Sequence, residues 1–112
     1  MEVRFLRAVK NRLLEIWDYT EQKWGESQAD KYVSGLVASV HQVSDSCHLW
    51  HPVMDEMLDG VHFIRYQRHF VFFRLLGGRT IGVISILHEN MDIPVRLRED
   101  TLRSDTSGDE WD

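Results

Sequence analysis

The stretch Leu13–Tyr32, LLEIWDYTEQKWGESQADKY, decides the fold of this chain. Apolar side chains recur at spacings of three and four on both sides of Gly25, which is the period of amphipathic helices. The pattern runs from Ala8 to about Lys23 and again from Ser27 to about Val43. Glycine between two such patterns is typical of a helix C-terminus, because it adopts positive φ angles at no steric cost. Two helices separated by so short a break predict an antiparallel helical hairpin.

Four further stretches have the alternation or the β-favouring composition of strands. They are Glu2–Leu6, Val61–Tyr66, His69–Leu76 and Arg79–His88. Gln67-Arg68 and Gly77-Gly78 are the predicted turns between the last three of them. The middle of the last strand is apolar on both faces, which predicts a central place in the sheet. The element order β-α-α-β-β-β predicts an α+β fold, in which the helical hairpin packs on a small, mainly antiparallel sheet and the first strand joins its edge.

Charge is distributed unevenly along the 112 residues. Residues 1–98 contain as many basic as acidic side chains, so the formal net charge of −5 belongs entirely to residues 99–112. A neutral body lacks the clustered Lys and Arg that phosphate neutralisation requires, so we expect no strong direct nucleic-acid binding. Because Pro94 limits regular structure and the residues after it are mainly polar, the sequence predicts a folded domain over residues 1–93 and an acidic, disordered tail over residues 94–112.

Compartment and cofactors are constrained by a few residue types. A single cysteine, Cys47, excludes an internal disulfide and fits a reducing compartment. Residues 1–17 contain no apolar run long enough for a signal peptide or a spanning helix, so we expect a cytoplasmic protein with no membrane partner. His48 and His51 would share a face of a helical turn, but no acidic or cysteine pattern completes a metal site. We expect neither a metal nor a cofactor.

Three motifs resemble those of a known family. The pattern I-x-x-Y/F-x(5)-G-x-x-x-A-x-x-Y is matched in the helical hairpin by Ile16, Tyr19, Gly25, Ala29 and Tyr32. Residues 68–74, RHFVFFR, resemble the strand motif xHxIFYR, and residues 84–92, ISILHENMD, resemble the ending I-x-x-[VI]-L-H-x-x-M-D. On these motifs the chain is similar to the ParE branch of the RelE/ParE toxin superfamily over about residues 2–93. It departs from the family pattern at Arg12, where an acidic residue is usual, and in its longer acidic tail.

The resemblance implies the toxin half of a type II toxin–antitoxin pair. Toxins of the ParE branch are expected to inhibit DNA gyrase by binding it, so the resemblance implies an inhibitory binding protein and not a catalyst. It also implies a cognate antitoxin, whose partly disordered C-terminal segment folds over the toxin.

Ribosome-dependent mRNA cleavage, the activity of the other branch of the same fold, is the first alternative. Such cleavage needs a general base, a general acid and cations that stabilise the phosphate. The catalytic candidates are Arg65, His88 and Glu56. The absence of any tyrosine after Tyr66 and of any lysine after Lys31 argues against this activity. A second alternative is an inactive toxin-like scaffold that only binds its antitoxin.

The candidate partner-binding residues combine charged and aromatic side chains with the end of the last motif. They are Arg65, Arg74, His88, Met91, Asp92, Trp17 and Trp50. The two arginines suit an anionic antitoxin segment, with a salt bridge or a solvent-facing position as the structural alternative. An exposed tryptophan would hold an antitoxin helix, whereas a buried one belongs to the core. The histidine either bonds to its own loop or contacts a partner.

Overall fold

A computed structural model describes residues 1–55, 58–106 and 111 of the chain. Its first half contains strand β1 (Glu2–Phe5), helix α1 (Arg7–Trp24), helix α2 (Glu26–Ser44), a 3-10 turn (Cys47–Leu49) and the short strand β2 (His51–Pro52). Its second half contains strands β3 (Val61–Tyr66), β4 (His69–Gly77) and β5 (Thr80–His88), followed by helix α3 (Ile93–Thr106).

The predicted helical hairpin is confirmed. Gly25 separates α1 from α2 with a φ of +93°, a conformation in which any side chain would be strained. Its backbone N–H donates to the Glu21 carbonyl and its own carbonyl accepts from Ala29, so one residue ends the first helix and begins the second. The two helices are further joined by the Trp17 indole N–H, which donates to Asp30 at 2.8 Å.

The sheet has the strand order β1-β5-β4-β3-β2. The β1–β5 pair is parallel and the three other pairs are antiparallel, which confirms the α+β fold with β1 at an edge. Strand β5 lies inside the sheet, and every residue from Ile81 to Leu87 is buried. Strand β2, which pairs with β3, was not predicted.

The two faces of the sheet pack against different parts of the chain. Ile64, Val71 and Ile86 share the face under the hairpin, which we call the helical face. Phe63, Phe72 and Ser85 share the opposite face, which we call the outer face. The rings of Tyr32 and Tyr66 meet at 5.3 Å between α2 and the helical face.

The disorder predicted for residues 94–112 is wrong over residues 94–106, because Ile93–Thr106 form α3. Leu97 belongs to the hydrophobic core, and the Asp100 carboxylate accepts a 2.6 Å hydrogen bond from Ser85 on the outer face. Helix α3 therefore packs on the same sheet as the hairpin. Trp111 forms an isolated bridge with Leu6. Residues 107–110 and 112 of the predicted tail lie outside the described residues.

Candidate functional site

A groove of about 830 Å³ separates the helical hairpin from the end of the sheet at which β3 turns into β4 and β5 ends. We call it the hairpin groove. Its lining comes from α1, α2, the β3–β4 turn, β4, β5 and the loop after β5. These residues are Arg12, Glu15, Ile16, Tyr19, Thr20, Trp24, Gln28, Tyr32, Gln67, Arg68, His69, Ile86, His88, Asn90 and Met91.

One face of α1 forms a long wall of this groove. Ile16 and Thr20 are buried, and the Thr20 hydroxyl donates to the Ile16 carbonyl at 2.7 Å. Tyr19 and Trp24 lie at the rim and are 60% and 72% exposed. Large exposed aromatic side chains beside a concave surface are the usual contact residues of protein interfaces. The groove therefore has the shape and rim expected of a partner-binding site.

Polar side chains on the helical face form part of the groove lining. The Tyr32 hydroxyl lies 2.7 Å from Nδ1 of His69. The rings of His69 and His88, which are paired on adjacent strands, have centroids 5.1 Å apart in an edge-to-face arrangement. His88 in turn accepts a 3.1 Å hydrogen bond at Nδ1 from the backbone N–H of Asn90. Three elements thus converge on two histidines.

Burial changes two pKa values in this group, and one hydrogen bond assigns a ring proton. Burial raises the pKa of Tyr32, and a hydrogen bond from the Arg68 backbone has a smaller, opposite effect. Nδ1 of His88 accepts from the backbone N–H of Asn90, so the proton of this ring resides on Nε2. The donor in the contact between Tyr32 and His69 depends on the tautomer of His69. Burial and, next, the neighbouring His88 lower the pKa of His69 to about 4, so His69 is neutral at physiological pH.

Two arginines stand at different edges of the groove. Arg12 on α1 donates from Nη1 to the Ile86 carbonyl at 2.9 Å and lies 3.7 Å from the Glu15 carboxylate. Arg68 in the β3–β4 turn lies 3.4 Å from Glu89 and is 74% exposed. Both guanidinium groups therefore contribute positive charge near a mainly apolar concavity.

Two of the predicted partner-binding residues, His88 and Met91, line the groove. Arg65 does not, because its cross-strand neighbour is Phe70 and its side chain projects from the outer face. It lies over the Phe70 ring at 5.1 Å and forms a 2.5 Å ion pair with Glu89. The structure does not bring the catalytic candidates Arg65 and His88 to one face of the sheet.

The remaining predicted site residues lie elsewhere. Arg74 is a half-buried residue on β4, on the outer face. Asp92 is exposed, and its backbone carbonyl accepts from Arg96 at the start of α3. The Trp50 indole N–H donates to the Val43 carbonyl at 2.7 Å, and its ring packs edge-to-face on Phe73, while Trp17 bonds to α2 as described above. Glu56 lies outside the described residues.

Sequence reasoning did not select Arg12, Tyr32 or His69 as site residues. A signal existed for two of them, because Tyr32 belongs to the hairpin motif and His69 to the strand motif. Their 2.7 Å contact spans 37 positions in the sequence, however, and depends on how α2 lies across β4.

In the described part of the chain, no helix combines the length and the hydropathy needed to cross a bilayer. Within those same residues, no group of three or more His, Cys, Asp or Glu side chains is arranged to hold a metal ion.

The comparison with protein families identifies the chain's relatives. The family model described as ParE toxin of type II toxin–antitoxin system, parDE, matches residues 3–93. The chain belongs to the ParE toxin family. As a ParE-family toxin of a type II toxin–antitoxin system, it contains the whole hairpin groove within the matched residues. Helix α3, beyond its first residue, lies outside the match.

Individual relatives agree with this assignment. Toxin ParE1 of Mycobacterium tuberculosis is 31% identical over 90 residues, which cover 80% of this chain and 91% of that protein. Toxin ParE1 of Caulobacter vibrioides is 33% identical over 95 residues, which cover 84% and 95%. A solved chain described as the chromosomal ParDE TA system from P. aeruginosa has a TM-score of 0.66 at 21% identity, covering 79% of this chain and 95% of that one. The structural likeness shows a shared fold.

Proposed function

We propose that this ParE-family toxin acts in the bacterial cytoplasm by binding DNA gyrase and arresting replication, and that a cognate antitoxin neutralises it. The observation that carries the proposal is the family match across residues 3–93, which contain the hairpin, β1–β5 and the groove. The separation of Arg65 and His88 onto opposite faces supports an inhibitory binding protein over a catalyst built on those two residues.

We place the antitoxin in the hairpin groove. His88 and Met91 line it, and the exposed rings of Tyr19 and Trp24 offer further apolar contact area. Arg65, Arg74 and Asp92 lie outside the groove and are candidates for a second contact surface, on gyrase or on the antitoxin. Trp17 and Trp50 already donate their indole N–H groups within the chain, so their contribution to binding would come from their rings.

A supercoiling assay with purified gyrase and relaxed plasmid tests the proposal. Loss of supercoiling together with accumulation of linear DNA is the expected result. Addition of the antitoxin should restore supercoiling, and Met91→Ala should reduce the protection by antitoxin more than the inhibition of gyrase. Unchanged supercoiling at a large excess of toxin would refute the gyrase target.

Ribosome-dependent mRNA cleavage is the second candidate, and one observation favours it. The groove gathers His69, His88 and Tyr32 close to two arginines, and these are residue types that general acid–base cleavage of RNA uses. The test is cleavage of ribosome-bound mRNA by the purified protein and by His88→Ala. Activity lost in that variant would favour the nuclease, whereas no effect in either assay would leave an antitoxin-binding scaffold.

A further inference from the structure

Strand β1 leaves one edge of the sheet open. The backbone N–H groups of Glu2 and Leu6 donate to carbonyl groups at and just before β5, at 2.8 and 3.3 Å, so the even-numbered residues bond towards β5. Because successive residues of a strand direct their N–H and C=O groups to opposite edges, those of Val3 and Phe5 point away from the sheet. Among the described residues, none pairs with Glu2–Phe5 on that side, and the Trp111 bridge is to Leu6, beyond the end of β1. An unpaired edge of this kind is a surface on which a further strand can form.

The other edge of the sheet is protected in a way that the β1 edge is not. Strand β2 has two residues, and one of them, Pro52, has no backbone N–H to donate. Strand β1 contains neither proline nor lysine, and no bulge interrupts its pairing with β5. Its two charged residues, Glu2 and Arg4, have opposite signs and form a 3.0 Å ion pair on the outer face. The β1 edge is therefore the one suited to accept another strand.

The sequence around β1 is complementary to itself when two copies are aligned antiparallel about Val3. Val3 then lies opposite Val3 of the second copy, and the two residues exchange both hydrogen bonds because their N–H and C=O groups face the open edge. Glu2 of each copy lies opposite Arg4 of the other on the outer face. Met1 lies opposite Phe5 on the helical face, where both are half-buried against the core. Opposite charges and apolar side chains at facing positions stabilise paired strands.

We propose that the β1 edge pairs with the β1 edge of a second copy of this chain, antiparallel about Val3, so that the two five-stranded sheets become continuous. The interface is isologous, because both copies contribute the same residues. Only about five residues of each copy take part, so the dimer belongs to the weak class and we expect a dissociation constant of about 100 µM. None of the residues that line the hairpin groove is used, so the proposal is independent of the proposed function.

Disulfide trapping tests the alignment of the two strands. The variants Glu2→Cys and Arg4→Cys are made in a Cys47→Ser background, which removes the exposed native thiol. In the proposed pairing, positions 2 and 4 of different copies face each other with Cα atoms about 4.5 Å apart, within the span of a disulfide, whereas two copies of position 2 are about 7–8 Å apart.

Under mild oxidation, a mixture of the two variants should therefore give a heterodisulfide, identified by its mass, about 5-fold more abundant than the disulfide that either variant gives alone. Leu14→Cys, at a 65% exposed residue of α1, is the matched control, and its mixture with Arg4→Cys should give only background cross-linking. Equal yields in all of these samples would overturn the proposal.

Charge reversal tests the same contact without cross-linking. In sedimentation velocity, the wild-type chain should shift from monomer to dimer as its concentration rises to about 1 mM. Arg4→Glu should weaken dimerisation about 10-fold, because both facing pairs become like-charged, and Glu2→Arg combined with Arg4→Glu should restore it. Arg96→Glu, an exposed change on α3, alters the net charge equally and should leave dimerisation unchanged. A wild-type chain that stays monomeric, or a folded double variant that dimerises no better than Arg4→Glu, would refute the proposal.

Discussion

Asp100→Ala tests whether the C-terminal helix is an integral part of the fold. The Asp100 residue is 7% exposed, and its carboxylate accepts from the Ser85 hydroxyl at 2.6 Å and from Arg103 at 3.0 Å. Removing the carboxylate deletes a hydrogen bond to a charged group and leaves the buried Ser85 hydroxyl without its partner. Each effect is worth about 1–3 kcal/mol and the two overlap, so we expect the free energy of unfolding to fall by about 2–3 kcal/mol.

The assay is urea unfolding at neutral pH, followed by far-UV circular dichroism. A loss of this size corresponds to a fall of about 8–15 °C in melting temperature for a domain of this length. Ser85→Ala and the double variant complete a thermodynamic cycle, whose coupling energy should be about 1–2 kcal/mol. The exposed neighbour Glu99→Ala is the control and should change stability by less than about 0.5 kcal/mol. Wild-type stability of Asp100→Ala, or additive single effects, would refute the packing of α3 on β5.

Three further predictions concern the hairpin and the groove. The pKa of His69 is about 4 in the folded protein, below the ordinary value of 6.5, so the unfolded chain binds more protons between these values and stability should fall as pH drops from 6.5 to 4. Gly35→Ala should destabilise the protein, because the added Cβ would overlap the Tyr66 hydroxyl. This effect opposes the gain of about 1 kcal/mol that alanine normally gives over glycine in a helix. Trp17→Phe should cost about 0.5–1.5 kcal/mol through loss of its hydrogen bond to Asp30.

Each of these has its own measurement and control. An NMR titration of the His69 ring should show a midpoint near 4, and a midpoint near 6.5 would contradict the buried environment; His69→Gln should flatten the acid dependence of urea unfolding. For the glycine, Ser34→Ala on the exposed side of α2 should be neutral or slightly stabilising, and a more stable Gly35→Ala would disprove the contact. For the tryptophan, Asp30→Asn keeps an acceptor and should cost less than Trp17→Phe.

The hairpin and the three long strands were predictable because each has a strong local signal. The helical period is interrupted at one glycine. The β3–β4 turn consists of Gln67-Arg68, as the sequence predicts, because Tyr66 pairs with His69. Helix α3 was missed for a physical reason. Its buried positions include Asp100, Thr101 and Ser104, so its packed side shows little apolar period. Pro94 was also taken as a sign of irregular structure, but it lies in the first turn of α3, where a helix tolerates proline.

The candidate site was predictable only in part. His88 and Met91 follow from the motif that ends β5, and both line the groove. Which strand arginine faces the groove depends on registry, since adjacent positions on a strand point to opposite faces. Arg65 therefore projects from the outer face while its neighbour Tyr66 faces the hairpin. Arg12 is held at the groove by its hydrogen bond to Ile86, which is 74 residues away, and no local sequence pattern predicts that contact.

The parallel pairing of β1 with β5 has a consequence for how the molecule is made. Residues Glu2–Phe5 pair with Thr80–Val83, so β1 can join the sheet only after β5 has been synthesised. Contacts of such large sequence separation form late, because the intervening loop must be closed first. A nascent chain that ends before Thr80 has both hairpin helices but lacks Ile86 and His88, and hence has no hairpin groove. Any partner that recognises the groove therefore binds only chains that have been synthesised at least as far as Met91.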